Sequence, residues 1–256
     1  MPRKDLWSRE ELIVTLALYF QLPFGRLNHG TPEVKALAAI MGRTNNSVAI
    51  RLTNFAACDP YIINSGRHGM SAGVKVCQPI WDEFCNNHER LFLEAEIIKS
   101  KMMKQPIEKV LGISETNLQG KVRESVVKQR VNQNVFRTMI LNNYENTCAI
   151  TGINIPNMLI ASHIIPWADD EENRLNPENG ICLSPLYDKA FDKGYITISP
   201  DDYKICLSSA LLEYESKEYF NKHFGNIAGR QITLPIEHIP NRDFLAYHRD
   251  NVFMGR

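Results

Sequence analysis

The chain has 256 residues, of which 44% are hydrophobic, so it is long enough for one large domain or two modest ones with a buried core. Its 29 basic residues balance 29 acidic ones, which is not the overall charge of a strong nucleic-acid binder. We find no apolar run of about 18 residues that predicts a membrane span, and the N-terminal residues lack the apolar segment of a signal peptide. We therefore expect a cytoplasmic protein without membrane contact.

Residues 1–95 are predicted to form a compact helical domain. Ser8, followed by Glu11 three positions later, fits a capping box that starts an apolar-periodic helix, which stops near Pro23. A second helix is predicted from Pro32 to Met41, where apolar residues recur on one face.

A short polar turn joins this second helix to a third. Gly42 suits the C-cap of the second helix, and Thr44 or Asn45 suits the N-cap of the third, which we expect to run to about Ala57. Two helices joined by a short turn with glycine form the helix-turn-helix pattern, whose second helix places its first residues in the major groove of DNA. The predicted DNA contacts of this domain are Arg43, Asn45, Asn46 and Arg51. A plain helical hairpin with a solvated polar face remains the alternative.

Residues 96–125 are predicted to connect this domain to a second one at 126–256. Between positions 101 and 140 the sequence has eight basic and three acidic residues, so this stretch is locally positive. Such an excess suits contact with nucleic acid, but it is also typical of a solvated charged face.

The second domain carries a strand–loop–strand–helix pattern. The predicted order is a buried strand at 158–167 that contains His163, a polar loop at 168–178, a strand at 179–183, a helix that starts at Ser184 or Pro185 and ends near Gly194, and a strand at 195–199. Asn179 begins the second strand, and Asp188 and Asp192 share one face of the helix. We therefore predict an α+β fold whose N-terminal part is helical.

A histidine, an amide and carboxylates in this order suit the hydrolysis of a phosphodiester. A divalent metal ion against the scissile phosphate neutralises its charge and stabilises the leaving oxygen. A neutral imidazole beside it can take a proton from water near pH 7, provided that its second ring nitrogen is oriented by a carbonyl or amide oxygen. A lone histidine on an apolar strand is more often a core residue, so the pattern needs further support.

Four ordered blocks give that support: CAITG at 148–152, SHIIPW at 162–167, NGICL at 179–183 and FDKG at 191–194. With these blocks the segment resembles the HNH nuclease family, in particular its restriction-endonuclease branch. Weaker similarity extends the match to roughly residues 120 to 250. The resemblance implies a ββα-metal fold at about residues 144 to 196, in an endonuclease that uses one divalent metal ion.

The resemblance also implies a role for each polar residue of the pattern. His163 matches the general base, and Asn179 matches the asparagine that positions the loop and the base. Asp188 stands where many members place a metal-binding histidine, and Asp192 is the candidate for a second ligand or an orienting group. Carboxylates suit Mg²⁺ or Mn²⁺ better than zinc, so we predict one of these two ions.

Two positions depart from the pattern of the family. Ser162 stands just before the base, where many members have a His or Asp metal ligand. Other members of the family bind a structural zinc through four cysteines. The corresponding positions here hold Cys148, Thr151, Ser184 and Tyr187, which cannot make a four-ligand zinc site. We therefore expect no structural zinc. The six cysteines form no CxxC pair and are expected to be reduced.

Three residues upstream of the blocks, Arg130, Gln133 and Arg137, are predicted to hold DNA phosphates beside the site, and a solvated helix face is the equal alternative. We thus predict a metal-dependent endonuclease of restriction or phage-defence type that acts on double-stranded DNA. The alternatives are a non-catalytic DNA-binding regulator on a decayed nuclease scaffold, which Ser162 favours, and a toxin that cuts RNA. Palindromic recognition sites would favour a homodimer.

Overall fold

The computed structural model describes residues 6–114 and 119–255. The chain folds into two compact units, Met1–Val135 and Phe136–Arg256, and the boundary between them lies within a long helix. This boundary comes later than position 126, where the sequence predicted the start of the second domain. In the described ranges, no helix is both long and apolar enough to cross a membrane.

Helices form the first unit. In chain order they are α1 (Arg9–Tyr19), α2 (Pro32–Met41), α3 (Asn45–Ala56), α4 (Pro60–Asn64), α5 (Val74–Phe84), α6 (His88–Met102), α7 (Ile107–Val110) and the first part of α8 (Gly120–Asn143), with 3-10 turns at Phe24–Arg26 and Ser71–Gly73. The residues predicted as a connector thus hold the end of α6, all of α7 and the start of α8.

The predicted caps at Ser8, Gly42 and Thr44 are confirmed, whereas α1 ends at Tyr19, four residues before the predicted stop near Pro23. The Ser8 hydroxyl accepts a hydrogen bond from the Glu11 amide at 3.2 Å, and the Ser8 amide donates to the Glu11 carboxylate at 2.8 Å, which completes the capping box. Helix α2 ends at Gly42, whose φ of 63° lies in the left-handed region that favours glycine. The Thr44 hydroxyl caps α3 by accepting from the Ser47 amide at 3.2 Å.

Helix α1 lies at the centre of this unit. All of its residues from Leu12 to Tyr19 are buried, and the helix contacts α3, α5 and α6. A helix that is apolar on every side is stable only when neighbours cover every side. Helices α2 and α3 contact each other, and Ala38 and Val48 on them are completely buried, as expected for a helix-turn-helix pair.

The second unit contains two short antiparallel ribbons and their covering helices. Its elements are the end of α8, β1 (Ile160–His163), β2 (Gly180–Leu183), α9 (Pro185–Asp192), β3 (Ile196–Ile198), β4 (Ile205–Leu207), α10 (Ser209–Leu212), α11 (Glu218–Phe220) and α12 (Arg242–Asn251), with 3-10 turns at Pro156–Met158 and Pro177–Asn179 and a π turn at Asn221–Gly225. Strand β1 pairs with β2, and β3 pairs with β4. The predicted strand–loop–strand–helix order is confirmed, although β1 is shorter than the predicted strand at 158–167.

Close packing of β2 on α8 fixes the position of the first ribbon. In the register of the ribbon, His163 faces Gly180. A methyl group added to Gly180 would lie 2.3 Å from Ile140 Cδ1 and 2.7 Å from Phe136 Cζ, so a larger residue would push the strand away from the helix. Glycine at this position therefore brings β1 and its histidine close to the ring of Phe136.

Candidate active site

A cavity of about 430 Å³ opens in the second unit beside β1. Residues of β1, the segment that follows it, α9 and α12 line this cavity. The structure brings together there three of the predicted site residues, namely His163, Asp188 and Asp192. Further polar lining residues are Ser162, Lys189, Lys193 and His248.

The imidazole of His163 is held from several directions. Phe136 stacks on it with ring centroids 3.6 Å apart and planes 11° from parallel. Trp167 meets the ring in a T-shaped contact at 5.4 Å. The Nε2 atom lies 3.1 Å from the backbone carbonyl oxygen of Arg174. Because a carbonyl oxygen only accepts hydrogen bonds, Nε2 carries the proton of the neutral ring, and no described residue bonds to Nδ1.

The surroundings keep this ring neutral. Burial lowers the pKa of His163 from 6.5 to about 4; the Arg174 carbonyl acts against this change, whereas the charge of the Arg174 side chain adds to it. A histidine with this pKa is uncharged at pH 7. The unprotonated nitrogen, Nδ1, is therefore available to accept a proton.

The side chain of Asn179 ties together the two ends of the loop that follows β1. Its Oδ1 accepts from the Ile165 amide at 2.8 Å, and its Nδ2 donates to the Asn173 carbonyl at 3.2 Å. Asn179 does not line the cavity, so its effect on His163 passes through the backbone. The next residue, Gly180, has extended backbone with φ −140°. Strand β2 therefore begins directly after Asn179, which ends the 3-10 turn Pro177–Asn179.

Asp188 and Asp192 lie on the side of α9 that borders the cavity. Burial raises the pKa of Asp188, against a smaller opposite effect of the nearby Ser162 hydroxyl. Burial and then the charge of Asp188 raise the pKa of Asp192, although this residue lies at the exposed rim. The two carboxylates therefore repel each other, and Lys189 and Lys193 offset only part of this effect.

The hydroxyl oxygen of Ser162 is buried and, among the described residues, has no hydrogen-bond partner of good geometry. It belongs to the lining of the same cavity as the two carboxylates. The hydroxyl also lies close enough to Asp188 to lower the pKa of that carboxyl. A buried hydroxyl without a well-formed hydrogen bond is costly, and a ligand, a water molecule or an ion can satisfy it. The atom thus suits a site that takes up an additional polar group.

Residues 148–199 match the family model described as HNH endonuclease. The second unit contains an HNH endonuclease domain. The matched segment holds all four residues that the sequence placed in the site, and a comparison with curated proteins finds no match to the chain. The predicted family and the α+β fold are thus confirmed, and a nuclease that cleaves DNA is the function that the domain indicates. Membership of the restriction branch stays a prediction.

HNH nucleases generally use a divalent metal ion, and the donor set of this domain fits one. Within residues 6–114 and 119–255, no three His, Cys, Asp or Glu side chains form a group that could hold a metal ion. Mg²⁺ is usually bound by one or two protein carboxylates, and water and substrate phosphates supply its other ligands. A cation between Asp188 and Asp192 would relieve the repulsion between them, and the Ser162 hydroxyl adds an oxygen beside Asp188.

Sequence reasoning missed three residues of the HNH domain. Lys189 and Lys193 each follow one of the predicted metal ligands and line the cavity, a signal that the sequence contained but that resembles ordinary surface lysines. Arg174 contributes a backbone carbonyl oxygen to His163. Every residue has such an oxygen, so no residue type could have predicted this partner.

In the first unit, the predicted DNA contacts lie in different surroundings. Asn46 is exposed near the start of α3. The Arg43 side chain is only 14% exposed, because its Nε lies 2.5 Å from the Glu11 carboxylate. The Arg43 guanidinium also lies over the Trp7 ring, 4.4 Å from its centroid. The Arg51 guanidinium lies over the same ring at 4.9 Å. Asn46 thus faces solvent, whereas both arginines make contacts within the unit.

The predicted phosphate contacts on α8 also differ from one another. Arg130 and Gln133 are exposed residues of the first unit. Arg137 belongs to the second unit and donates to the carbonyl oxygens of Leu159 at 2.5 Å and Pro156 at 2.8 Å. Arg137 therefore attaches the segment before β1 to the end of α8.

Cys148, the first residue of the matched segment, is a buried free thiol. Its sulfur accepts from the backbone amides of Ser184 at 3.2 Å and Thr151 at 3.5 Å. The sulfur therefore joins the turn that follows α8 to the start of α9. That the domain needs no structural zinc stays a prediction.

Proposed function

We propose that this protein is a metal-dependent endonuclease that cuts double-stranded DNA, in a restriction or phage-defence role. One observation carries the proposal. His163 lines a cavity that also contains two carboxylates of raised pKa, and its Nε2 is bonded to a carbonyl oxygen while Nδ1 has no partner among the described residues. This is the arrangement that water activation beside a phosphate requires.

In this mechanism His163 is the general base. Its ring is neutral at pH 7, and Nδ1 takes a proton from the attacking water. As the ring gains positive charge, the hydrogen bond from Nε2 to the Arg174 carbonyl becomes charge-assisted and stabilises the imidazolium. Asn179 holds the backbone on both sides of the loop, so that this carbonyl and the ring keep their geometry.

The acidic and basic residues of α9 would hold the rest of the reacting group. Asp188 and Asp192 would bind the divalent ion, which when bound stabilises the charge that develops on the phosphate and on the departing oxygen. Lys189 and Lys193, on the same cavity, would bind phosphate oxygens of the DNA backbone as point charges.

We assign the contact with DNA outside the cavity to the helix-turn-helix pair α2–α3 and to α8. Asn46 at the start of α3 is the residue best exposed for a base contact, and Arg130 and Gln133 are exposed for phosphates. Arg43, Arg51 and Arg137 would have to exchange contacts that they make within their own units. A homodimer, which two-fold symmetric DNA sites would favour, is to be checked by sedimentation.

A second candidate function rests on Ser162. Ser162 is a weaker metal ligand than the His or Asp expected before the base. If the metal site has decayed, the chain would bind DNA without cutting it and would act as a regulator.

The test is cleavage of plasmid DNA, unmodified and methylated, with Mg²⁺ or Mn²⁺. The proteins compared are the full chain, His163→Ala, Asp188→Asn and the control His29→Ala, which alters an exposed histidine of the first unit. We expect cleavage that EDTA abolishes and that His163→Ala slows by about a hundredfold or more, as for loss of a general base. Asp188→Asn should raise the metal concentration needed for half-maximal cleavage, and His29→Ala should cut like the wild type.

Each contrary result identifies a different error. A folded wild type that binds DNA but cuts neither plasmid would overturn the nuclease assignment in favour of the regulator. Cleavage that persists in EDTA would refute the metal requirement. Preferential cleavage of RNA, when RNA competes with the plasmid, would point to an RNA-cutting toxin.

A further inference from the structure

The loop after β1 contains one arginine that is built into the fold. The Arg174 side chain is only 20% exposed. Its Nε donates to the Trp167 carbonyl oxygen at 2.9 Å, and its guanidinium carbon lies 5.0 Å from the centroid of the Trp167 ring. Its Nη2 lies 3.4 Å from the carboxylate of Glu171, which is highly exposed. The guanidinium thus joins the two ends of the Trp167–Arg174 span of this loop, which are seven positions apart.

The two residues at the ends of this span both contact His163. The carbonyl oxygen of Arg174 accepts the hydrogen bond of His163 Nε2 at 3.1 Å. The Trp167 ring meets the imidazole in a T-shaped contact, with ring centroids 5.4 Å apart and planes at 86°. A displacement of this span would therefore disturb both contacts at once.

The other attachment of the loop, made by Asn179, holds the Arg174 end of this span through the neighbouring residue Asn173, but it does not join the two ends of the span. Asn179 binds the backbone of Ile165, two residues before Trp167, and the backbone of Asn173, the residue directly before Arg174. These bonds close the base of the loop, but they make no contact with the Trp167 ring or with the Arg174 carbonyl oxygen. The guanidinium of Arg174 supplies the link that Asn179 does not.

We propose that Arg174 is a positioning residue, whose side chain holds the Trp167–Arg174 span so that its own carbonyl oxygen and the Trp167 ring keep His163 in its orientation. The role in catalysis rests on the proposed function, whereas the effect on the histidine does not. A displacement of about 1 Å at a reacting group can slow an enzyme by as much as a hundredfold. Loss of the guanidinium should therefore lower kcat and leave the binding of DNA nearly unchanged.

The first test measures the ring itself by ¹H–¹⁵N NMR at neutral pH. A buried imidazole N–H that donates to a carbonyl exchanges slowly with water, so the wild type should show a ring N–H signal that disappears in His163→Ala. In Arg174→Ala this signal should broaden or disappear. The ring N–H of His248 is the internal control, because its Nε2 donates to the Phe191 carbonyl at the same distance, 3.1 Å, and should be unaffected.

The second test compares the cleavage kinetics of Arg174→Ala with those of Arg249→Ala. Arg249 lies in the same unit, its side chain is 43% exposed, and its loss removes the same charge without touching the loop. We expect kcat to fall at least about tenfold in Arg174→Ala with KM within about threefold, and both constants to stay near wild type in Arg249→Ala. If Arg174→Ala does not fold, Arg174→Met replaces it, since its unbranched side chain can still fill the space beside the Trp167 ring but cannot donate to the Trp167 carbonyl.

The outcomes separate this proposal from the function on which it rests. A sharp His163 ring N–H in folded Arg174→Ala, or in Arg174→Met where only that variant folds, would overturn the positioning role even if cleavage were slow. A rise in KM with an unchanged kcat would assign Arg174 to DNA contact instead. If the wild type cuts no DNA, the nuclease proposal fails, while loss of the ring N–H signal would still support the positioning of His163.

Discussion

His163 and His248 have closely similar surroundings within the second unit. Each ring stacks on a phenylalanine, His163 on Phe136 at 3.6 Å and His248 on Phe191 at 3.7 Å. Each Nε2 lies 3.1 Å from a backbone carbonyl oxygen, and burial lowers both pKa values to about 4. Both residues also border the same cavity.

The surroundings of the two histidines differ at the second ring nitrogen, Nδ1. Nδ1 of His248 lies 2.9 Å from the hydroxyl of Thr197, which donates to it because Nε2 carries the proton. No described residue bonds to Nδ1 of His163, and His248 is 1% exposed whereas His163 is half-buried. A stacked ring, a carbonyl partner and a low pKa therefore do not distinguish a reactive histidine from a structural one. Under the proposed function, the feature that separates the two histidines is the ring nitrogen of His163 to which no described residue bonds.

The largest expected effect is on cleavage. His163→Ala should slow cleavage by about a hundredfold or more, because the proton acceptor is lost. Its free energy of unfolding, measured with urea, should fall by less than that of His248→Ala, because a half-buried ring loses fewer contacts. Cleavage by His163→Ala at a rate near that of the wild type would contradict the proposed role of His163 as the general base.

The next largest effect is on stability. His248→Ala should lower the free energy of unfolding by about 3 kcal/mol, since it leaves a cavity beside Phe191 and two polar groups without partners. Urea denaturation measures this change. The rate of cleavage per folded molecule should stay within a few-fold of that of the wild type. An equal loss of unfolding free energy in His163→Ala and His248→Ala would contradict the expected difference between the two histidines.

A pH titration of stability should show the buried state of His248 directly. Its pKa is about 4 in the folded protein against an ordinary 6.5, so below pH 6.5 the unfolded chain binds the extra proton and stability is lost as the pH falls toward 4. The loss approaches about 1.4 kcal/mol per pH unit. We expect the unfolding free energy of the wild type to fall more steeply between pH 6.5 and 4.5 than that of His248→Gln. Parallel curves would contradict this.

The smallest expected effect concerns the hydrogen bond at Nδ1 of His248. Thr197→Val keeps the shape of the side chain but removes the hydroxyl that donates to Nδ1 of His248. We expect a loss of about 1 kcal/mol in unfolding free energy, the typical value for a buried hydrogen bond, with cleavage unchanged. A variant as stable as the wild type would mean that the hydroxyl is not what separates the two histidines.

Local patterns accounted for the parts of the fold that sequence reasoning predicted well. The capping box at Ser8, the glycine at Gly42 and the cap at Thr44 involve contacts between residues a few positions apart, so the spacing of residue types is enough to predict them. The boundary between the two compact units lies at Val135, within α8. Helix α8 continues through this boundary, because apolar residues on both sides of it, among them Val131 and Val135, are buried along the same helix.

The sequence by itself determined the family, the order of strand, loop, strand and helix, and the identity of His163, Asn179 and the two aspartates as candidates. Only the tertiary structure decided which nitrogen of His163 has no partner among the described residues and which arginine contacts the residues around the ring. The carbonyl partner of His163 is 11 residues away in the chain and that of His248 is 57 residues away. Such contacts depend on backbone atoms brought together by packing, and backbone atoms are the same in every residue type, so no local pattern of side chains encodes them.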